Sequence, residues 1–149
     1  MPKPPFPTFL CALLLAANGC TALERAHDCG GVIDIVNGGL EAVRFDAPDA
    51  GDAETYQHFA SAYDEMSNQI ALIPIEDTTL AKTIGSYREI LDRAANNSRA
   101  YARELENRSS KAERRSSDQK LEKIRSRAKT DLGREAALVR KINSLCHPH

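Results

Sequence analysis

Side chains able to bind metal gather at the two ends of the sequence. His27 stands two residues before Cys29, and His147 and His149 follow Cys146. If the two cysteines meet, three imidazoles and Asp28 collect beside them, a donor set suited to zinc or copper. Against that reading, a terminal His-Pro-His is poorly anchored and two cysteines that meet in an oxidising compartment form a disulfide, so no metal is expected. Glu54 and His58 stand four apart, with Asp64 and Glu65 beyond them. Di-iron bundles repeat Glu-x-x-His on two helices and add two inward glutamates. Here the spacing is Glu-x-x-x-His and occurs once, which predicts a surface ion pair or hydrogen bond. No Gly-x-Ser-x-Gly, phosphate-cradling glycine loop or Cys-x-x-Cys is present, so neither a catalytic residue nor a cofactor is expected.

The other chemistry is charge. Glu24 to Asp92 holds 14 acidic and 4 basic residues, whereas Arg93 to Lys129 holds 12 basic and 5 acidic ones. The net charge of −1 conceals this division. Arg108, Lys111, Arg114, Arg115, Lys120, Lys123, Arg125 and Arg127 form the candidate interaction surface, suited to anionic headgroups, cell-wall polymers or nucleic acid. The bland alternative is a solvated helical face partly neutralised by Glu104, Glu106, Glu113 and Glu122. No aromatic residue follows Tyr101, so single strands find no stacking platform and no nucleic-acid partner is expected.

Four amphipathic stretches position these groups. The clearest runs from Thr78 to Asn107. Leu80, Ile84, Tyr87, Leu91, Ala94, Ser98, Tyr101 and Leu105 alternate by four and three, a heptad seam that wraps one helix along another. Thr78 or Thr79 is the expected cap, after the break at Pro74. A helix from Asp52 to Ile73 carries Tyr56, Phe59, Tyr63, Met66, Ile70 and Ile73, with Asp52 as its cap. A last helix from Ser110 to Cys146 opens on Ser110-x-x-Glu113, the form of a capping box. It carries Leu121, Ile124, Ala128, Leu132, Val139 and Ile142 as its expected buried stripe, with Leu138 and Leu145 beside it. Ala26 to Val43 reads two ways. Cys29, Val32, Ile33, Val36, Leu40 and Val43 share a helical face, while Asn37-Gly38 behind a β-prone run signals a hairpin. Helix is favoured, because three later helices offer a groove and no other strand offers a sheet.

The expected fold is therefore all-α: an antiparallel up-down-up-down four-helix bundle over 26–149. In that topology the start of the first helix and the end of the fourth share one end, which puts Cys29 beside Cys146 for a disulfide. Unequal helix lengths further predict a projecting hairpin of the third and fourth helices, roughly Asn96 to Arg127, which is the basic region. All four tyrosines fall on seam positions, where the ring packs and the hydroxyl reaches solvent.

The amino terminus reads as an address. Phe9 to Ala17 is an apolar run behind Lys3, too short to span a bilayer and matching the core of a secretory signal. Behind it, Ala17-Asn18-Gly19-Cys20 resembles the lipobox of bacterial lipoproteins, although Ala17 stands where that pattern has Leu and Asn18 where it has Ala or Ser. The resemblance implies a signal over 1–19, lipid on Cys20, a tether over 20–25 and, with Thr21 next, sorting to the periplasmic face of the outer membrane. Ordinary signal peptidase reading Ala17-Asn18-Gly19 is the alternative, giving a soluble secreted or periplasmic protein. Removal of the signal takes Cys11. Lipidation of Cys20 then leaves Cys29 and Cys146 as a pair; without it three thiols remain.

The helical remainder is similar in order and spacing to uncharacterised exported helical proteins of bacteria, a likeness that supplies no activity. The expected function is that of a non-enzymatic envelope lipoprotein acting through helix-mediated protein contact. The alternative is a module that binds an anionic membrane or cell-wall polymer through the basic hairpin. The seams would equally serve a homo-oligomer.

Overall fold

The computed structural model describes residues 28–39, 41, 51–108 and 111–146, with the side chain of residue 111 left aside. The described chain is all-α. Four helices follow one another, α1 over 28–39, α2 Ala53–Ala71, α3 Thr78–Glu106 and α4 Lys111–Cys146, and no strand occurs among the described residues. The ambiguous first stretch is thus a helix through Asn37-Gly38, because its apolar face finds a core to enter. The signal over 1–19, Cys20, the 20–25 tether, Leu40, Val43, Ser110 of the expected capping box, and His27, His147 and His149 all lie outside the described residues.

Local chemistry sets the helix ends. Asp52 caps α2 by accepting from the Thr55 backbone N–H at 2.8 Å and the Thr55 hydroxyl at 2.6 Å. Those bonds, the hydroxyl's first, hold the Asp52 carboxyl below its ordinary pKa. At the far end Leu72 closes α2 and Pro74 forbids continuation. The cap of α3 is Asp77 rather than Thr78 or Thr79. Its carboxylate accepts from the N–H groups of Thr79 and Leu80 at 2.9 and 2.8 Å, so both threonines are drawn into the first turn.

A single core joins all four helices. Cys29 and Val32 of α1, Met66 and Ile70 of α2, Leu80, Ile84, Tyr87 and Leu91 of α3, and Ile142 of α4 form one buried cluster. Full burial of each large apolar side chain contributes about 1.5–3 kcal/mol. Cys29 and Cys146 are joined by a disulfide, with Cα atoms 5.7 Å apart. Beside it the buried Asp28 accepts from the backbone N–H of Glu76 at 3.3 Å, tying α1 to the turn between α2 and α3.

α3 is the central helix: α2 and α4 each pack along it and not on each other. Two partners require two faces. Tyr87 and Tyr101 of the expected seam are buried, but so are Thr83, Ile90, Ala95 and Ala102 beyond it. Ala95 and Ala102 lie three residues beyond Asp92 and Arg99, which reach Ser67 and Asp64 of α2. Small side chains on that stripe let the two backbones approach.

Two expectations need correction. The supposed buried stripe of α4 is incomplete, since Leu132 is 63% exposed and Val139 36% exposed. Leu132 borders an open groove between α2 and α4, and Val139 borders a cleft beside Val32 and Val36 of α1. Nor does α3 project free of α2 beyond Asn96. Tyr56 packs on Tyr101, and Gln57 Nε2 donates to Glu106 Oε1 at 2.9 Å, so α2 accompanies α3 to its last residue. The reach of α2, not the length of α1, sets how far α3 is accompanied.

Candidate functional site

The gap between α2 and α4 is an open groove whose floor is α3. Its volume is about 260 Å³. Tyr56 and Tyr63 line one wall, Ile124, Ala128 and Leu132 the other, and Ile90, Leu91, Ala94 and Tyr101 contribute from α3. The lining is predominantly apolar and aromatic, with polar groups at its margins, as in most small-ligand sites.

At one end a stack of side chains joins three helices. Tyr56 and Tyr101 have ring centroids 4.2 Å apart at 37°. Arg125 of α4 sits 5.5 Å from the Tyr101 centroid and donates from Nη2 to the Tyr101 hydroxyl at 2.5 Å. Burial is the first cause raising the Tyr56 pKa, followed by Tyr101. Arg125 also approaches Glu122 at 3.7 Å. A more polar cleft of about 420 Å³ continues past this stack to Arg108 and Asp118. There Arg108 Nη2 meets Asp118 Oδ1 at 2.5 Å, while its Nε is buried with no partner among the described residues.

The opposite end holds two carboxylates in different surroundings. Asp131 is paired with Arg93 at 3.2 Å and with Arg134 at 3.7 Å. Glu135 is half-buried and accepts from the Tyr87 hydroxyl at 3.4 Å, and no cation pairs with it among the described residues. Burial raises the Glu135 pKa, with the Tyr87 hydrogen bond opposing. Burial also raises the pKa of Tyr63 and Tyr87, and the Glu135 charge adds to both.

The side chain of Lys111 lies outside the described ones, and the other basic candidates divide into two groups. Arg108 is paired with Asp118, Lys120 Nζ meets Glu104 Oε1 at 3.1 Å, and Arg125 is held on Tyr101. Arg114, Arg115, Lys123 and Arg127 are exposed on α4. Ser117, buried among these charges, donates to Glu104 at 3.2 Å and fixes the start of α4 against α3.

Other candidates are not brought together. Among the described residues, no group of three His, Cys, Asp or Glu side chains is arranged to hold a metal. Neither an ion pair nor a hydrogen bond links Glu54 to His58, whose Nε2 is buried without a partner among the described residues. The groove was missed by sequence reasoning, although Glu135 carried a signal. It falls between Leu132 and Val139 at the spacing of the apolar stripe, where a charge is out of place.

No protein-family model, curated protein or solved structure matches the chain.

Proposed function

We propose that this chain is a non-enzymatic bacterial envelope lipoprotein, held to a membrane through lipid on Cys20 and acting as a helical protein-interaction module. The observation that carries the reading is the Cys29–Cys146 disulfide, which closes a span of 117 residues. Such bonds persist in oxidising compartments and are rare where thiols are kept reduced. The lipobox-like Ala17-Asn18-Gly19-Cys20 supplies the anchor.

The interaction body is an antiparallel up-down-up-down bundle. Cross-helix pairs support this arrangement: Gln57 with Glu106, Asp64 with Arg99 and Ser67 with Arg88 run oppositely along α2 and α3. Likewise Tyr87 with Glu135, Arg93 with Asp131 and Glu104 with Lys120 run oppositely along α3 and α4.

Intact mass of protein extracted from membranes, before and after reduction and alkylation, tests the reading. The expected result is an acylated Cys20 as first residue, with Cys29 and Cys146 alkylated only after reduction. An unacylated mass in which Cys29 and Cys146 are alkylated without reduction would remove both anchor and compartment.

A second reading is favoured by the exposed Arg114, Arg115, Lys123 and Arg127, for which no ion pair is seen among the described residues. On that reading the outer face of α4 binds an anionic membrane or wall polymer. Reversing all four to Glu should then abolish salt-sensitive sedimentation with anionic vesicles, and should leave it unchanged if those residues are only a solvated face.

A further inference from the structure

We propose that the groove between α2 and α4 is a binding site for a small organic cation, a ligand with an apolar body and one ammonium group that pairs with Glu135. The site is separate from the outer basic face of α4 and does not depend on how the chain is anchored.

The apolar part of the site is defined by what it leaves uncovered. Leu132 belongs to the inward stripe of α4 yet is 63% exposed, because it borders the groove. Ala94 and Ala128, both part-exposed, continue the same surface. An apolar ligand body covering them removes that surface from water, a gain of roughly 25 cal/mol per Å². The volume of about 260 Å³ suits one aryl ring or a short alkyl chain rather than a large ligand.

The charge of the ligand follows from a comparison of the groove's three ionised side chains. Arg125 is held by Tyr101 and Glu122, and Asp131 by Arg93 and Arg134. Glu135 has the Tyr87 hydroxyl and, among the described residues, no cation. A half-buried carboxylate without a countercharge is destabilised by lost hydration. An ammonium supplies the countercharge where it is missing, and Tyr63 on the facing wall offers a ring that favours a cation. An anionic head would meet Glu135 and Asp131 at this end and an already occupied guanidinium at the other.

The test is calorimetry of the full chain, disulfide intact, with 4-phenylbutylamine and with 4-phenylbutanoate, which share a body and differ in charge. The amine should bind at least tenfold tighter than the acid at neutral pH. Glu135→Gln retains a partner for the Tyr87 hydroxyl and should lower amine affinity to that of the acid. Leu132→Arg, at an exposed position one turn from Glu135, places a cation within the chain and should have the same effect without disturbing the core. Helicity by circular dichroism checks each variant. Equal binding of amine and acid, no binding of either, or amine affinity unchanged in a folded variant would overturn the proposal.

Discussion

Glu135 shows how one side chain is caught between fold and solvent. Tyr63 from α2, Tyr87 from α3 and Asp131 one turn earlier on α4 surround it, and none of them carries a positive charge. Its pKa in the folded chain lies above the ordinary 4.5, first through burial. The folded state therefore holds this proton more tightly than the unfolded state. Its contribution to stability is greatest below the ordinary value and is lost as pH rises through the raised one. Denaturation of Glu135→Gln and the parent at several pH values should show equal stability in acid. A gain for the variant should grow as pH passes the ordinary carboxylate range and level off once pH has passed the raised value. The gain should stay below about 1 kcal/mol, since the carboxyl is only half-buried and solvent screens it. Close packing decides another residue-scale case. A Cβ added at Gly39 would collide with the Met66 side chain, which is 2% exposed and has little room to move. Gly39→Ala should destabilise by about 1–3 kcal/mol through overpacking. Gly133→Ala, with nothing within 4 Å of the added Cβ, should stabilise α4 by roughly 0.5–1 kcal/mol. Urea midpoints of the two variants would move in opposite directions.

Among the elements, α2, α3 and α4 were legible within about two residues, because long apolar repeats and proline breaks are local signals. The second buried face of α3 was not, since Thr83, Ala95 and Ala102 barely register as hydrophobic and reveal themselves only when two partners are present. The groove was only partly legible, through the charge of Glu135 in the apolar stripe. Leu132 has the spacing of a core residue, and pattern cannot tell whether a neighbouring helix packs over it. The cap of α3 lies just before the two threonines that its pattern favours, at Asp77, whose carboxylate reaches two backbone N–H groups. Asp77→Ala should cost about 1 kcal/mol in denaturant unfolding. Thr79→Ala should cost little through capping, because the Thr79 backbone donates to Asp77 whatever its side chain.

Across the whole molecule, the disulfide and the core do different work on α1. The described part of α1 buries Cys29 and Val32 in the shared cluster, with Ile35 and Val36 partly covered, whereas α2 and α3 are joined along their lengths. A cross-link over 117 residues removes loop entropy from the unfolded chain, worth about 4–5 kcal/mol on that model. Reduction, or Cys29→Ser, should therefore lower the thermal midpoint by on the order of 10–20 °C for a domain of this size. The loss should also be uneven. Amide exchange in the reduced protein should accelerate first over 28–39 and the last turns of α4, because Cys146 holds those turns to Cys29. The α2–α3 pairing, secured by Asp64 with Arg99, Ser67 with Asp92 and the alanine stripe between them, should keep its protection longest. Uniform acceleration along all four helices would mean that α1 is integral to a single cooperative core and that the disulfide acts on the molecule as a whole.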